Sequence, residues 1–128
     1  MNYYIQYLES EDFFLVKTSG HMSADDFIQM AEGILSHSNW AAGKNVLFDH
    51  RDLNFENITL EIIEKIRRFH EANEKRIGAG RSAILLKAGS IDKWNIVWDE
   101  GDKIKSASIV QIFDDNGSAI KWINEKNP

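Results

Sequence analysis

Short aromatic and β-branched runs alternate with segments whose apolar residues recur every three or four positions, and this alternation constrains the chain more than any other feature. Tyr3–Leu8 and Phe13–Thr18 flank the polar linker Glu9-Ser10-Glu11-Asp12 and read as an antiparallel hairpin. Ser19-Gly20-His21-Met22 breaks the strand pattern. Ser23 with Asp26 three residues on has the form of a capping box. Phe27, Met30, Ala31, Ile34 and Leu35 then form one helical stripe, predicted to fade over 36–39. Trp40 and Gly43 sit in the connection. Asn45–Asp49, apolar at Val46, Leu47 and Phe48, fits a strand covered on both faces.

His50–Glu56 reads as a polar loop that tucks Leu53 and Phe55 inward. Asn57 or Thr59 caps a long helix with Ile58, Ile62, Ile66, Phe69 and Asn73 on one face, flanked by Ile63 and His70. Its other side carries the opposite-charge pairs Glu61/Lys65, Glu64/Arg68, Arg67/Glu71 and Glu71/Lys75. Gly78 and Gly80 end it. Ser82–Leu86 is a buried-type strand, and Ala88-Gly89-Ser90 is a turn and cap. Ile91, Trp94, Val97 and Trp98 line a third helix, stopped by Glu100-Gly101-Asp102. Ala107–Phe113 is the last strand. Asp114–Ser118 turns into a closing helix with Ala119, Ile120, Trp122 and Ile123 inward.

The order is β-β-α-β-α-β-α-β-α, which predicts an α/β fold with a mixed, mostly parallel five-stranded sheet and four helices. No repeat or second domain interrupts it, so residues 1–128 form a single domain. Net charge is −5, which favours neither a phosphate backbone nor a nucleic-acid partner. The absence of cysteine removes disulfides, thiolate metal sites and a Cys nucleophile. The N-terminal stretch has no signal-peptide pattern and no window approaches a membrane span, so a cytoplasmic protein is expected.

Ligands of open parallel sheets bind beyond the carboxyl ends of the strands. Here that rim would hold Ser19, His21, Asp49, His50, Arg51, Lys87, Ser90 and Asp114, with helix N-termini near Ser23, Asn57 and Ser90. Ordinary caps and turns would give the same residues. Asp49 and His50 are neighbours that leave a strand in opposite directions, which argues against a catalytic dyad. His21, His37, His50 and His70 have no metal-ligand spacing, and no cofactor motif is present. Gly78-Ala79-Gly80 follows a helix and lacks the Lys-Ser/Thr of a phosphate loop. Trp94, Val97 and Trp98 have the spacing of core packing, the alternative being one tryptophan facing a cavity or membrane interface.

Several stretches together make the chain resemble the SpoIIAA-like family, whose STAS-like fold is that of anti-sigma-factor antagonists. They are Ser19-Gly20-His21-Met22-Ser23-Ala24-Asp25-Asp26, Leu47-Phe48-Asp49-His50-Arg51-Asp52, Gly80-Arg81-Ser82-Ala83, Ile112-Phe113-Asp114 and Ala119-Ile120-Lys121-Trp122-Ile123. The likeness covers most of the chain. It implies a regulatory or binding role without catalysis. STAS antagonists are switched by phosphorylation of a Ser after the third strand; the matching position here falls near Ile58, beside Thr59, and has no Asp-Ser-Ser-Gly. SpoIIAA-like proteins are also compared in fold with CRAL-TRIO lipid-binding domains. By that analogy the partner is an apolar or amphipathic, lipid-like ligand, or a membrane touched peripherally.

Two binding sites are therefore expected. A ligand site would draw on Asp49, Arg51, Lys87, Ser90, Trp94 and Trp98. A protein-interaction loop, the alternative, would use Asp49, Arg51, Phe55, Ile58 and Thr59. An enzyme acting at the rim has the least support. A homodimer would follow if the first strand is an exposed edge, against which Glu9, Glu11 and Asp12 act.

Overall fold

The computed structural model describes residues 1–100 and 109–125, and of 97–100 the backbone alone. Five strands form one sheet in the order β1-β2-β3-β4-β5. β1 (Asn2–Leu8) pairs antiparallel with β2 (Phe13–His21). β3 (Asn45–Asn54), β4 (Arg81–Leu85) and β5 (Ile109–Phe113) continue the sheet in parallel. The expected α/β architecture is the one observed.

Side chains alternate across the sheet, so each strand feeds two layers. On one face Phe14, Val16 and Val46 pack against Met30 and Ile34 of α1 (Ala24–Leu35). Further along that face Met22, Leu53, Phe55 and Leu86 meet Ile66 of α2 (Leu60–Ala72) and Trp94 of α4 (Ile91–Glu100). On the other face Phe13, Leu47, Ala83 and Leu85 bury Ala119 and Ile123 of α5 (Asn116–Asn124). This is the two-sided covering that a parallel sheet requires.

The caps follow the local chemistry. Ser23 Oγ accepts from Asp26 N at 3.2 Å, and Thr59 Oγ1 accepts from Ile62 N at 3.3 Å, which selects Thr59 over Asn57. Asp115 opens α5 by accepting from Ser118 N at 2.8 Å. α2 stops at Asn73, whose Nδ2 donates to Phe69 O at 2.8 Å. One further turn, α3 (Glu74–Ile77), runs to Gly78, which takes a left-handed φ of 74°. The buried centre of α2 is Ile63 and Ile66, with Ile62, Phe69 and His70 half-buried beside them. Glu64 pairs with Arg67 at 2.6 Å rather than with Arg68.

Two expectations need correction. Ser19-Gly20-His21 does not break the second strand, and His50–Asn54 is strand rather than loop. The two segments pair with each other, Ser19 opposite Asp52 and His21 opposite Asn54. The register slips just before them, between Lys17 and Ser19. There the single Thr18 stands against His50 and Arg51 together, a bulge that lets a polar stretch stay in the ladder. Asp114 leaves β5 as expected, and the expected strand start at 107–108 and the stop at 101–102 lie outside the described residues.

Candidate functional site

A cleft of about 80 Å³ lies between α1, α2 and the sheet. α1 contributes Ala31, Ile34 and Leu35; the following connection contributes Trp40 and Lys44. Val46 and Phe48 of β3 form the floor with Ser82 of β4, and Phe69, His70 and Ile77 close the α2–α3 side. α2 ends beside the cleft. The chain kinks at Asn73, and the backbone of Gly78–Gly80 then runs against Ala42–Lys44, with Gly43 N donating to Ile77 O at 3.0 Å. A side chain at Gly80 would sit 2.4 Å from Lys44 O. The close crossing therefore needs glycine.

The wall is mostly apolar, and its polar atoms divide into spent and unspent. Trp40 Nε1–H donates to Arg76 O at 2.9 Å. Lys44 is ion-paired with Asp12 and lies 5.5 Å from the Tyr7 ring centre. The Asp12 bond holds the ammonium pKa above its ordinary value. His70 Nδ1 lies 2.9 Å from Ile66 O, an atom that only accepts, so Nδ1 carries the proton. Burial pushes the imidazole pKa down, against the smaller upward effect of that carbonyl. A neutral His70 thus keeps Nε2 as an acceptor. Among the described residues neither His70 Nε2 nor Ser82 Oγ has a hydrogen-bond partner.

The carboxyl-end region, where the sequence places its sites, is organised differently. His50 is 2% exposed, with Nδ1 2.7 Å from Thr18 Oγ1. Its ring stacks on Phe48 at 5.4 Å and lies 5.5 Å from Trp94 and 6.4 Å from Phe27. Burial in this aromatic shell pushes its pKa down to about 4, with Asp49 acting weakly the other way. Trp94 is 5% exposed and meets Phe55 edge-on at 5.1 Å. It is a core residue here, as the packing reading has it.

Asp49 belongs to the other face, beside Leu85 in the register. Burial raises its carboxyl pKa, but the Arg51 fork outweighs this and leaves it below the usual range. Arg51 Nε and Nη2 each reach an Asp49 oxygen at 2.9 Å, and Arg51 N donates at 3.2 Å. Asp49 and His50 therefore form no dyad.

The structure does not gather the six expected ligand residues. Asp49 and Arg51 pair on the α5 side, Trp94 packs on the α1–α2 side, Lys87 is exposed, and Ser90 is half-buried at the end of the short 3₁₀ turn Ala88–Ser90. The side chain of Trp98 lies outside the described residues. Of the expected interaction loop, Phe55 is 7% exposed, Ile58 is half-buried, and Thr59 is the α2 cap. The cleft residues Trp40, His70 and Ser82 carry no motif; the tryptophan in the connection is the one signal pointing to them. Among the described residues no cluster of His, Asp and Glu could hold a metal, and no helix is long and apolar enough to cross a membrane.

Neither a family model nor a curated protein matches the sequence. The structure is similar to the crystal structure of an uncharacterised protein of the DUF3478 family from Shewanella loihica PV-4, described as having a SpoIIAA-like fold. The two share 18% sequence identity with a TM-score of 0.62, over 94% of this chain and 93% of that one. At that identity the likeness establishes the architecture alone: the fold of this chain is SpoIIAA-like.

Proposed function

We propose that this protein is a non-enzymatic binding module for a small apolar or amphipathic molecule held between its helices and sheet. The observation that carries this reading is the cleft of about 80 Å³ walled by Ile34, Leu35, Trp40, Phe48 and Phe69. Protein interiors close voids larger than a water molecule because unfilled space forfeits contacts, at roughly 24 cal/mol per Å³. The wall offers only a few polar atoms, which is how small-molecule sites fix the orientation of an otherwise apolar ligand. Among the described residues Ser82 makes no hydrogen bond to a base, and His70 Nδ1 is held by the Ile66 carbonyl rather than by a carboxylate, so the reading is retention rather than turnover.

The test is ligand-observed NMR and native mass spectrometry with a panel of small probes: indole, toluene, butanol and octanoate. Wild type should bind at least one with a Kd in the micromolar to millimolar range, as ligands of under about ten heavy atoms allow. Ala31→Leu, which fills the cleft, should bind none. An unresponsive wild type, or equal binding by both proteins, overturns the proposal.

A further inference from the structure

We infer that the outer edge of β1 is where a second copy of this chain docks: the two β1 strands pair antiparallel about a two-fold axis at Ile5, Tyr4 of each facing Gln6 of the other, and the two sheets run on as one. This surface is separate from the cleft and does not depend on ligand binding.

β1 is the end strand of the sheet, and among the described residues β2 alone pairs with it. In an antiparallel ladder alternate residues turn their N–H and C=O away from the neighbour, so the outer side of β1 presents a row of backbone groups. Among the described residues the further backbone bonds to this strand all end on Leu8 O, inside the hairpin turn. Sheets ordinarily blunt such an edge with charge, proline or a bulge. Asn2–Leu8 has none of these: it carries no charged residue and no proline, and its register with β2 is unbroken. Tyr3 and Tyr4 stay 40% and 57% exposed on it.

The register follows from the two faces of the strand. Ile5 and Tyr7 pack in the α1 layer and Leu8 in the α5 layer. A two-fold axis through the sheet keeps the α1 layers of both copies on one side, and residues directly opposite share a face. Odd positions therefore oppose odd ones, and even oppose even. Of the registers that remain, the one centred on Ile5 pairs all 7 residues. It sets Tyr3 against Tyr7, Ile5 against itself and Tyr4 against Gln6, so an aromatic pair forms and no like charges meet. The strand nearly repeats when read from either end, with a tyrosine two residues before Ile5 and another two residues after it. Self-complementarity of this kind is what an isologous interface between two copies requires.

Charge selects antiparallel pairing over parallel. Glu9 and Glu11 follow the strand directly, and Asp12 is already paired with Lys44. The antiparallel joint puts the two acidic hairpins at opposite ends, roughly 24 Å apart against a Debye length of about 8 Å. A parallel joint would set them side by side. Seven residues a side is short of the roughly 20–30 a side of stable complexes, so the dimer is weak and forms with concentration.

Sedimentation of the full chain from about 10 μM to about 1 mM reads the joint. Wild type should pass from monomer to dimer across that range. Tyr4→Glu with Gln6→Glu opposes like charges at exposed positions and should weaken dimerisation about tenfold. Tyr4→Lys with Gln6→Glu opposes unlike charges at the same positions and should bring dimerisation back. The chain has no cysteine, so Ile5→Cys alone should form an interchain disulfide on oxidation. Gln6→Cys, diagonal to its own copy across the joint at about 7–8 Å, should form little. A chain that stays monomeric to about 1 mM overturns the proposal and leaves the edge to a strand of another protein. Unchanged dimerisation in the doubly acidic variant, or equal loss in both charge variants, overturns it as well. The charge variants alter exposed side chains, so they decide the matter even if Ile5→Cys folds poorly.

Discussion

Thr18 and His50 meet inside the sheet–helix layer, Oγ1 to Nδ1 at 2.7 Å, at the point where β2 and β3 lose and regain their register. Lys17 pairs with Asp49 and Ser19 with Asp52, so Thr18 alone answers two residues of β3. Thr18 Oγ1 also lies 3.4 Å from Asp49 O, and one hydroxyl proton serves either the carbonyl or the imidazole. The bulge thus brings a polar pair into an aromatic shell and satisfies it there, which a regular ladder would not do.

Burial of the His50 ring makes stability depend on pH. The folded pKa of His50 is about 4, below its ordinary 6.5, so the unfolded chain binds more protons between those values. Stability is full above about 6.5 and is lost as pH falls through 4, by up to ~3 kcal/mol for this residue. Urea denaturation at pH 7 and pH 4.5 should show a smaller loss in His50→Phe than in wild type. Equal losses would mean that another group carries the acid sensitivity. His70, also shifted down, acts in the same direction and is common to both proteins.

Asp49 and Arg51 form a local fork that closes on the α5 face. Asp49 is 8% exposed, whereas the Arg51 side chain is 43% exposed, so solvent screens the pair from one side. Arg51→Ala should cost about 1 kcal/mol, with Asp49 keeping the Arg51 backbone N–H. A double-mutant cycle with Asp49→Asn in chemical denaturation should return a coupling of about 0.5–1 kcal/mol. A coupling near zero would show that the fork is geometric only.

Gly80 is predicted to tolerate no side chain. A Cβ there would lie 2.4 Å from Lys44 O and 2.5 Å from Gly43 O, both backbone atoms that cannot rotate away. Gly80→Ala should therefore destabilise by about 2–3 kcal/mol or more, through forced backbone displacement. Gly89→Ala is the control: nothing lies within 4 Å of its Cβ position, and the change should stay within about 0.5 kcal/mol. Matching melting temperatures for the two variants would contradict the crossing.

Strands and helices were legible in the sequence because period and composition are local. Phe14, Val16, Val46 and Ala83 announce strands by themselves, and Ser23 and Thr59 announce helix starts. The β3 extension was not legible, because His50-Arg51-Asp52 is polar and its pairing depends on Ser19–His21 some thirty residues away. Trp94 was readable as core and Phe55 as inward-facing, but the contact of Trp94 with His50 was not, since it joins β3 to α4. The cleft is less legible still. It is assembled from α1, a connection, β3, α2, α3 and β4, each contributing residues whose own pattern reads as ordinary packing.

That assembly makes one substitution especially informative. Ala31 lies on α1 at the cleft wall and is half-buried, so Ala31→Leu adds three carbons to a space lined by side chains and open on one side. Both alanine and leucine favour a helix, so the backbone gives little reason for a penalty. Filling part of about 80 Å³ should raise stability by about 1 kcal/mol, within the roughly 24 cal/mol per Å³ that an unfilled space costs. A small-domain melting temperature should then rise by several degrees while probe binding is lost. A variant that is both more stable and unable to bind would mark the cleft as space kept open at the expense of stability. A destabilised variant would mean instead that the walls already meet closely and that the opening is too tight to receive a ligand.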